Sequence, residues 1–518
     1  MKRQELAAKT VTTSVFYYIL TGLAGFINRK VFDVYLGQEL LGLNGLLSNV
    51  ISMLGLLELG ITGAVGFSLY KPLQEKDDEQ VKAILVLFGR VYKIIGVLVA
   101  VLGTCLIPLL PYVVKADLPF SLVVQSYLLF LANTVATYLV SYRRIILQAS
   151  ERDYINKKVD SAVFLFSSLV RIVVIAVWRA YLVSLVINIV FCLAGNIILY
   201  KKAGQTFPLL DDKRIKGRID DSVKAGIITN VKALFVINVA SYLVFGTDNL
   251  LLSAFFGVTS VAVYSSYTMI ISLVNSLFNN VFSYIMPNIG NYIVSEPKER
   301  SYQLFQNIYF SNFVICCYTS VAMLVLLNPF IKDIWLGEEY TFALPIVAIL
   351  VFNNYSRFIT KGTEAFRGAA GLYSPKPFVK YLALLEGVIN ILFSVLFAET
   401  LKIGVIGIFL GTTVSTLVST VCVPWIVHKY LFTRSQRNYW KRYSIYLFWL
   451  AVCSVSSLAV YRLAETASGL ANLIIGIAVS AALPFGILYL RFGRTEEGLW
   501  MIGIIRSFLG RIKRKQQI

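Results

Sequence analysis

The chain of 518 residues is 57% hydrophobic and only 15% charged, and its mean hydropathy is +0.71. A typical soluble domain carries about 25% charged residues, so this composition excludes a soluble globular protein. The formal net charge of +20 is compatible with nucleic-acid binding on its own, but the positions of the charges argue for a membrane protein instead.

Fourteen apolar runs predict helices long enough to cross a bilayer, for which roughly 20 residues suffice. The predicted fold is therefore all-α: a polytopic membrane protein with about 14 transmembrane helices. In chain order the predicted helices are 11–36, 41–70, 81–111, 119–148, 156–180, 182–202, 223–255, 259–294, 301–331, 341–369, 376–399, 403–431, 441–462 and 467–491.

The basic residues are distributed unevenly between the two sides of the predicted membrane. If the N-terminus is cytoplasmic, most of the 48 Lys and Arg residues fall in cytoplasmic segments. The external loops carry only Lys115, Arg179, Lys332, Lys402 and Arg462. Such asymmetry follows the positive-inside rule and predicts cytoplasmic N- and C-termini, with no nucleic-acid partner.

The second half of the chain repeats the layout of the first. At an offset of 220 residues Asn28-Arg29 aligns with Asp248-Asn249, and Gly37 aligns with Gly257. The repeat predicts two pseudo-symmetric six-helix lobes, 1–220 and 221–432, followed by two further helices and a basic amphipathic tail in 433–518. Two such lobes are typical of a transporter with its site between them.

Two predicted helices carry a polar stripe along an otherwise apolar surface. Because a polar face is unfavourable against lipid, we expect both stripes to face protein or a water-filled cavity. For any single hydroxyl, hydrogen bonding between helices is the favoured explanation, whereas two whole stripes at duplicated positions favour a cavity. The predicted cavity-lining residues are Asn44, Ser48, Ser52, Thr268, Ser272, Asn275 and Asn279.

Charged residues inside the apolar runs are candidates for function, since each needs a partner or water to offset its desolvation. Arg29, Arg171 and Lys232 are predicted to bind an anionic substrate, because guanidinium and ammonium groups suit phosphate oxygens. Asp248 and Glu58 are the candidate gating or coupling residues. Arg29 is predicted to pair with Asp248, although each could instead find a partner within its own lobe.

The chain shows no pattern typical of an enzyme or a metalloprotein. No Walker loop or nucleophile constellation is present, and neither the cysteines nor the single histidine have metal-ligand spacing. We therefore predict no catalytic residue, no metal site and no cofactor other than a coupling ion, H⁺ or Na⁺.

Several short motifs occur in order over nearly the whole chain. They are Leu36-Gly37, Leu54-Gly55-Leu56-Leu57-Glu58-Leu59-Gly60, Tyr70-Lys71, Arg144 to Ala149 with Arg152, Thr247-Asp248-Asn249-Leu250-Leu251-Leu252, Gly257, Tyr264-Ser265, Ile334 to Tyr340, Gly371-Leu372-Tyr373, Gly407-Ile408 and Gly411-Thr412. In these motifs the chain resembles polysaccharide repeat-unit flippases of the O-antigen, capsule and exopolysaccharide types, which belong to the superfamily that includes multidrug and toxin extrusion transporters.

The resemblance implies movement of an undecaprenyl-diphosphate-linked oligosaccharide from the inner to the outer leaflet of a bacterial plasma membrane by alternating access. It implies a cationic cavity lined by helices 1, 2, 7 and 8, on which Arg29 and Lys232 lie. It also suggests the polysaccharide assembly machinery as a partner.

Three alternatives remain. A cation-coupled multidrug extruder of the same superfamily would need an acidic cavity, whereas the interior charges lean basic. A lipid II flippase would share the diphosphate chemistry. A membrane-bound sugar polymerase or ligase would need a large external loop, and all external loops here are short.

Overall fold

The computed structural model describes residues 3–212, 239, 242–243, 246–372 and 377–515, and all regular secondary structure in these ranges is helical. The chain divides into two compact units, Met1–Ser265 and Ser266–Ile518. The predicted boundaries of the lobes, 1–220, 221–432 and 433–518, stay a prediction.

The helices that begin in the first unit pack side by side, with α1 against α8, α8 against α9, and α6 against both α4 and α9. They are α1 (Arg3–Leu36), α2 (Gln38–Leu54), α3 (Leu56–Glu75), α4 (Asp78–Cys105), α5 (Leu110–Val113), α6 (Phe120–Val140), α7 (Arg144–Ala149), α8 (Asp153–Trp178), α9 (Tyr181–Thr206), α10 (Thr247–Phe256) and α11 (Val258–Ser295), the last of which continues into the second unit.

The second unit is built in the same way around α12, which packs against α13, α17, α18 and α19. Its remaining helices are α12 (Lys298–Pro329), α13 (Leu344–Ile359), α14 (Lys361–Ala369), α15 (Pro377–Val395), α16 (Val405–Ile426), α17 (Arg437–Ala464), α18 (Gly469–Phe492) and α19 (Glu496–Lys515).

Ten of the described helical segments are long and apolar enough to cross a membrane. Together with the all-helical architecture they confirm the predicted all-α polytopic membrane fold. The predicted span at 223–255 lies mostly outside the described residues. Three other predicted helices, 41–70, 119–148 and 341–369, are each divided in the structure.

Tertiary contacts explain two of these divisions. At residues 141–143 the helix tightens, where Arg143 pairs with Asp211 at 2.8 Å and its guanidinium lies over the ring of Tyr200. At Thr360 the backbone leaves the helix because Asn312 of α12 donates hydrogen bonds to the carbonyls of Phe358 and Ile359. Carbonyls bound from outside are drawn away from the helical ladder, which bends or breaks a helix.

The third division, at Gly55, falls on a weak helix former between α2 and α3. Only this third division lies between apolar residues on both sides, whereas charged residues follow residue 142 and Thr360.

Two connections at matching positions of the repeat have nearly identical backbones. Gly37 has φ 85° and ψ 166°, and Gly257 has φ 84° and ψ 167°. Each amide donates to a carbonyl four residues earlier, at Asp33 and at Ser253. Because side chains disfavour positive φ, glycine is required at both turns. The two turns therefore support the internal repeat seen in the sequence.

The first turns of α11 cross α2 with almost no space between the backbones. A Cβ atom on Gly42 would overlap the Val258 carbonyl, and a Cβ on Gly45 would lie 3.5 Å from the Ser265 Oγ. Small residues permit such close crossings. Within lipid, the van der Waals packing at a close crossing stabilises helix association, because the hydrophobic effect does not act between helices there.

The core of the second unit is unusually aromatic. Phe313 of α12 stacks on Tyr446 of α17 with centroids 4.1 Å apart, and Phe492 of α18 closes on both rings. Helices α17 and α18 thus share an aromatic core with α12 in the second unit.

We predict that Gly42→Ala lowers the midpoint of thermal unfolding of the detergent-purified protein, because an overpacked crossing typically costs about 1–3 kcal/mol. Gly486→Ala is the matched control, since Gly486 lies within α18 with no atom near its Cβ position. We expect that control to be neutral or stabilising by up to about 1 kcal/mol. Equal midpoints for the Gly42→Ala protein and the wild type would contradict the close crossing.

Candidate functional site

Arg29 is anchored to the start of α11. One terminal nitrogen of its guanidinium donates to the Ala262 carbonyl at 2.8 Å and to the Ser265 Oγ at 2.7 Å. Both acceptors are uncharged, so these two hydrogen bonds hold the guanidinium in place without neutralising its charge. The side chain predicted to bind substrate is therefore also a structural link between α1 and α11.

Asp248 lies at the N-terminus of α10 and is almost fully buried. Its Oδ2 accepts a hydrogen bond from the Tyr264 hydroxyl at 3.1 Å. Asp248 and Arg29 thus both bind within the stretch 262–265 of α11. The structure brings the two predicted gating partners to one short segment, and a direct Arg29–Asp248 ion pair stays a prediction.

Glu58 of α3 is held by two phenols. Tyr92 donates a hydrogen bond to its Oε1, and Tyr138 is also hydrogen-bonded to the carboxyl group. Both tyrosines are buried, on α4 and α6. Two phenol groups thus hydrogen-bond the Glu58 carboxyl group, and its predicted coupling role stays a prediction.

A cavity of about 170 Å³ lies among α2, α6, α8 and α9 of the first unit. The predicted residues Arg171, Asn44 and Ser48 line it together, whereas predicted Ser52 is exposed and its hydroxyl is satisfied by the Ser48 carbonyl. The other lining residues are Asn133, Asn188, Leu129, Phe130, Leu185 and Ile189. Among the residues that the structure describes, the lining therefore contains a guanidinium and amides but no carboxylate.

Three buried polar atoms around this cavity have no hydrogen-bond partner: Arg171 Nε, Asn44 Oδ1 and Asn133 Oδ1. Among the described side chains, Arg171 also makes no ion pair. Buried polar groups without hydrogen-bond partners are rare because they destabilise the folded state. Such a cluster therefore indicates a binding site for a polar or charged ligand.

The stripe on α11 is only partly engaged within the second unit. Asn275 donates to Asn354 Oδ1 of α13 at 2.9 Å, whereas Ser272 and Asn279 are exposed and Thr268 is partly buried. The predicted lining of a cavity by these residues stays a prediction. Lys232, the remaining predicted cation, lies outside the described residues.

Several polar residues in the second unit were not predicted. Glu386 of α15 is 8% exposed and accepts a hydrogen bond from Ser419 of α16. Nearby, Arg357 of α13 donates from Nε to Thr416. An ionisable residue inside an apolar run was the available signal for Glu386, as it was for Arg171.

No protein-family model matches the chain, and no curated protein matches it in sequence. Solved structures do match in fold. An inward-facing multidrug resistance MATE family transporter of the MOP superfamily is 13% identical with a TM-score of 0.65, over 82% of this chain and 98% of that chain. The lipid II flippase MurJ, in an inward closed conformation, is 14% identical with a TM-score of 0.66, over 93% and 99%.

A MATE transporter from Vibrio cholerae is 13% identical with a TM-score of 0.55, over 84% and 98%. At these identities the likeness establishes the fold. The chain is an all-α, multi-pass membrane protein with the architecture that MATE transporters and MurJ share, as its sequence motifs led us to expect.

The link between α1 and α11 generates a prediction about stability. In a double-mutant cycle of unfolding free energies, Arg29→Gln and Ser265→Ala should couple by about 1.5–3 kcal/mol, the usual worth of a hydrogen bond to a charged group. Ser260→Ala is the control, because the Ser260 hydroxyl bonds only the Phe256 carbonyl of the preceding turn. A coupling energy no larger than that of the control cycle would show that the link is not formed.

Proposed function

We propose that the chain is a non-enzymatic transporter that flips an undecaprenyl-diphosphate-linked oligosaccharide repeat unit from the inner to the outer leaflet by alternating access. In this proposal it serves export of a cell-surface polysaccharide and works with the machinery that assembles it. It resides in a bacterial plasma membrane with both termini in the cytoplasm.

The polar cavity of the first unit is the observation that carries this proposal. Its described lining residues combine the Arg171 guanidinium with amides and include no carboxylate. A cationic lining favours a diphosphate, since phosphate oxygens accept charge-assisted hydrogen bonds. Arg29 adds a second cation in the same unit. An extruder of organic cations would require the opposite charge, so the multidrug alternative is disfavoured despite the MATE-like fold.

A lipid II flippase is the second candidate. The match to MurJ covers 93% of this chain, more than either MATE match described above. Lipid II carries the same polyprenyl diphosphate, so the cavity chemistry suits both substrates. The two candidates differ only in the glycan that is moved.

A translocation assay tests the function directly. We expect the full-length protein in liposomes to move an undecaprenyl-diphosphate-linked repeat unit between leaflets, and to leave a cationic dye in place. Arg29→Gln should slow translocation roughly tenfold or more, since loss of a charge-assisted hydrogen bond costs about 1.5–3 kcal/mol. Arg90→Gln, which removes an exposed arginine of α4, should not.

The assay also decides between the candidates. Transport of lipid II in preference to other glycans would assign the chain to peptidoglycan synthesis. Movement of the dye with no movement of either lipid would refute both.

A coupling cation, H⁺ or Na⁺, completes the proposal, with Glu58 and Asp248 as its candidate sites. Glu58→Gln should make the translocation rate insensitive to a gradient of the cation that drives the wild type, because the amide cannot exchange the charge. Glu75→Gln at the exposed end of α3 is the control and should keep the response. A Glu58→Gln protein that still responds fully would exclude Glu58 as the coupling group.

A further inference from the structure

We propose that the cavity around Arg171 is a binding site for one small anion, held inside the first unit. It is the same cavity that supports the proposed function, and the inference adds which ligand binds there. It is built entirely from α2, α6, α8 and α9, and it would exist in the first unit whatever glycan the protein carries.

The charge of Arg171 is the first argument. A guanidinium stays protonated in proteins, so it cannot relieve its burial by losing a proton. Among the described side chains it has no carboxylate partner, and its Nε is buried without a hydrogen bond. An uncompensated buried charge is strongly destabilising. The cavity beside the guanidinium is the place from which a negative charge can reach it.

The chemistry of the lining is the second argument. Asn44, Asn133 and Asn188 offer amide groups, whereas the Ser48 hydroxyl donates to the Asn44 carbonyl of the preceding turn. The amide oxygens of Asn44 and Asn133 are buried and unpartnered, whereas their amide nitrogens are not among the buried unpartnered atoms and can serve as donors. N–H donors around a guanidinium form an anion site.

The volume of the cavity limits which anions can bind in it. A cavity of about 150 Å³ can hold a benzene molecule, so a cavity of about 170 Å³ accommodates a monatomic anion or one phosphate group. The occupant is therefore a chloride-like or phosphate-like anion, either free in solution or as the terminal phosphate of a lipid carrier.

Anion-dependent stability tests the site. The full-length protein in neutral-lipid nanodiscs is unfolded by heat in sodium chloride, phosphate or gluconate at constant Na⁺ and ionic strength. We expect chloride and phosphate, but not the bulky gluconate, to raise Tm saturably, because a ligand that binds only the folded state stabilises it. Arg171→Gln should abolish the response, Arg171→Lys should weaken it, and Arg90→Gln should keep it.

Asn133→Asp supplies a second, independent test that does not depend on losing a residue needed for folding. A carboxylate inside the cavity replaces the bound anion, so Tm in gluconate should approach that of the anion-saturated wild type, and added chloride should have no effect. A wild-type Tm that is the same in all three salts, or an Arg171→Gln protein that responds like the wild type, would overturn the proposal.

Undecaprenyl diphosphate added to the nanodiscs identifies the source of the anion. If the carrier removes the chloride response, its phosphate occupies the site; if the response persists unchanged, the occupant is a free ion. Because these measurements contain no translocation step, an anion response without glycan movement would refute the proposed transport function and leave the anion site intact.

Discussion

A cationic side chain inside a membrane-spanning bundle must be solvated by the protein, because hydrocarbon supplies neither water nor counter-ions. The first unit meets this constraint in two ways. Arg29 is bound by a carbonyl and a hydroxyl of α11, so its charge is fixed to a helix. Arg171 borders a cavity instead, so its charge can interact with a ligand that enters the cavity. One arginine is thus suited to joining helices and the other to binding a ligand.

The positions of the helices were largely predictable from the sequence, because hydrophobic length is a strong signal in membrane proteins. The predicted runs 156–180 and 301–331 correspond to Asp153–Trp178 and Lys298–Pro329. The interruption at Thr360 was not predictable, because it depends on Asn312, which lies on another helix. Hydropathy reports burial along one segment and contains no information about which side chain approaches from outside.

The candidate site was predicted in part, for a similar reason. Arg171, Asn44 and Ser48 were selected as polar residues in apolar runs, and the structure places them around one cavity. Asn133 and Asn188 carry the same kind of signal, but a single amide in an apolar run is common and did not stand out. Ser52 follows the stripe in sequence yet bonds its own helix, because a serine hydroxyl readily turns back to a carbonyl of the preceding turn.

The crossing of α2 and α11 has a consequence for the history of the chain. Positions 45 and 265, which face each other there, are separated by the 220 residues that relate the two halves. In a dimer of identical subunits, a residue meets its own copy only on the twofold axis of an isologous interface. At this crossing, two positions that correspond in the repeat meet within one polypeptide. The same contact is expected if a half-length homodimer were joined into one chain by gene fusion. The two positions differ in this chain: position 45 is a glycine, and position 265 is a serine that binds Arg29.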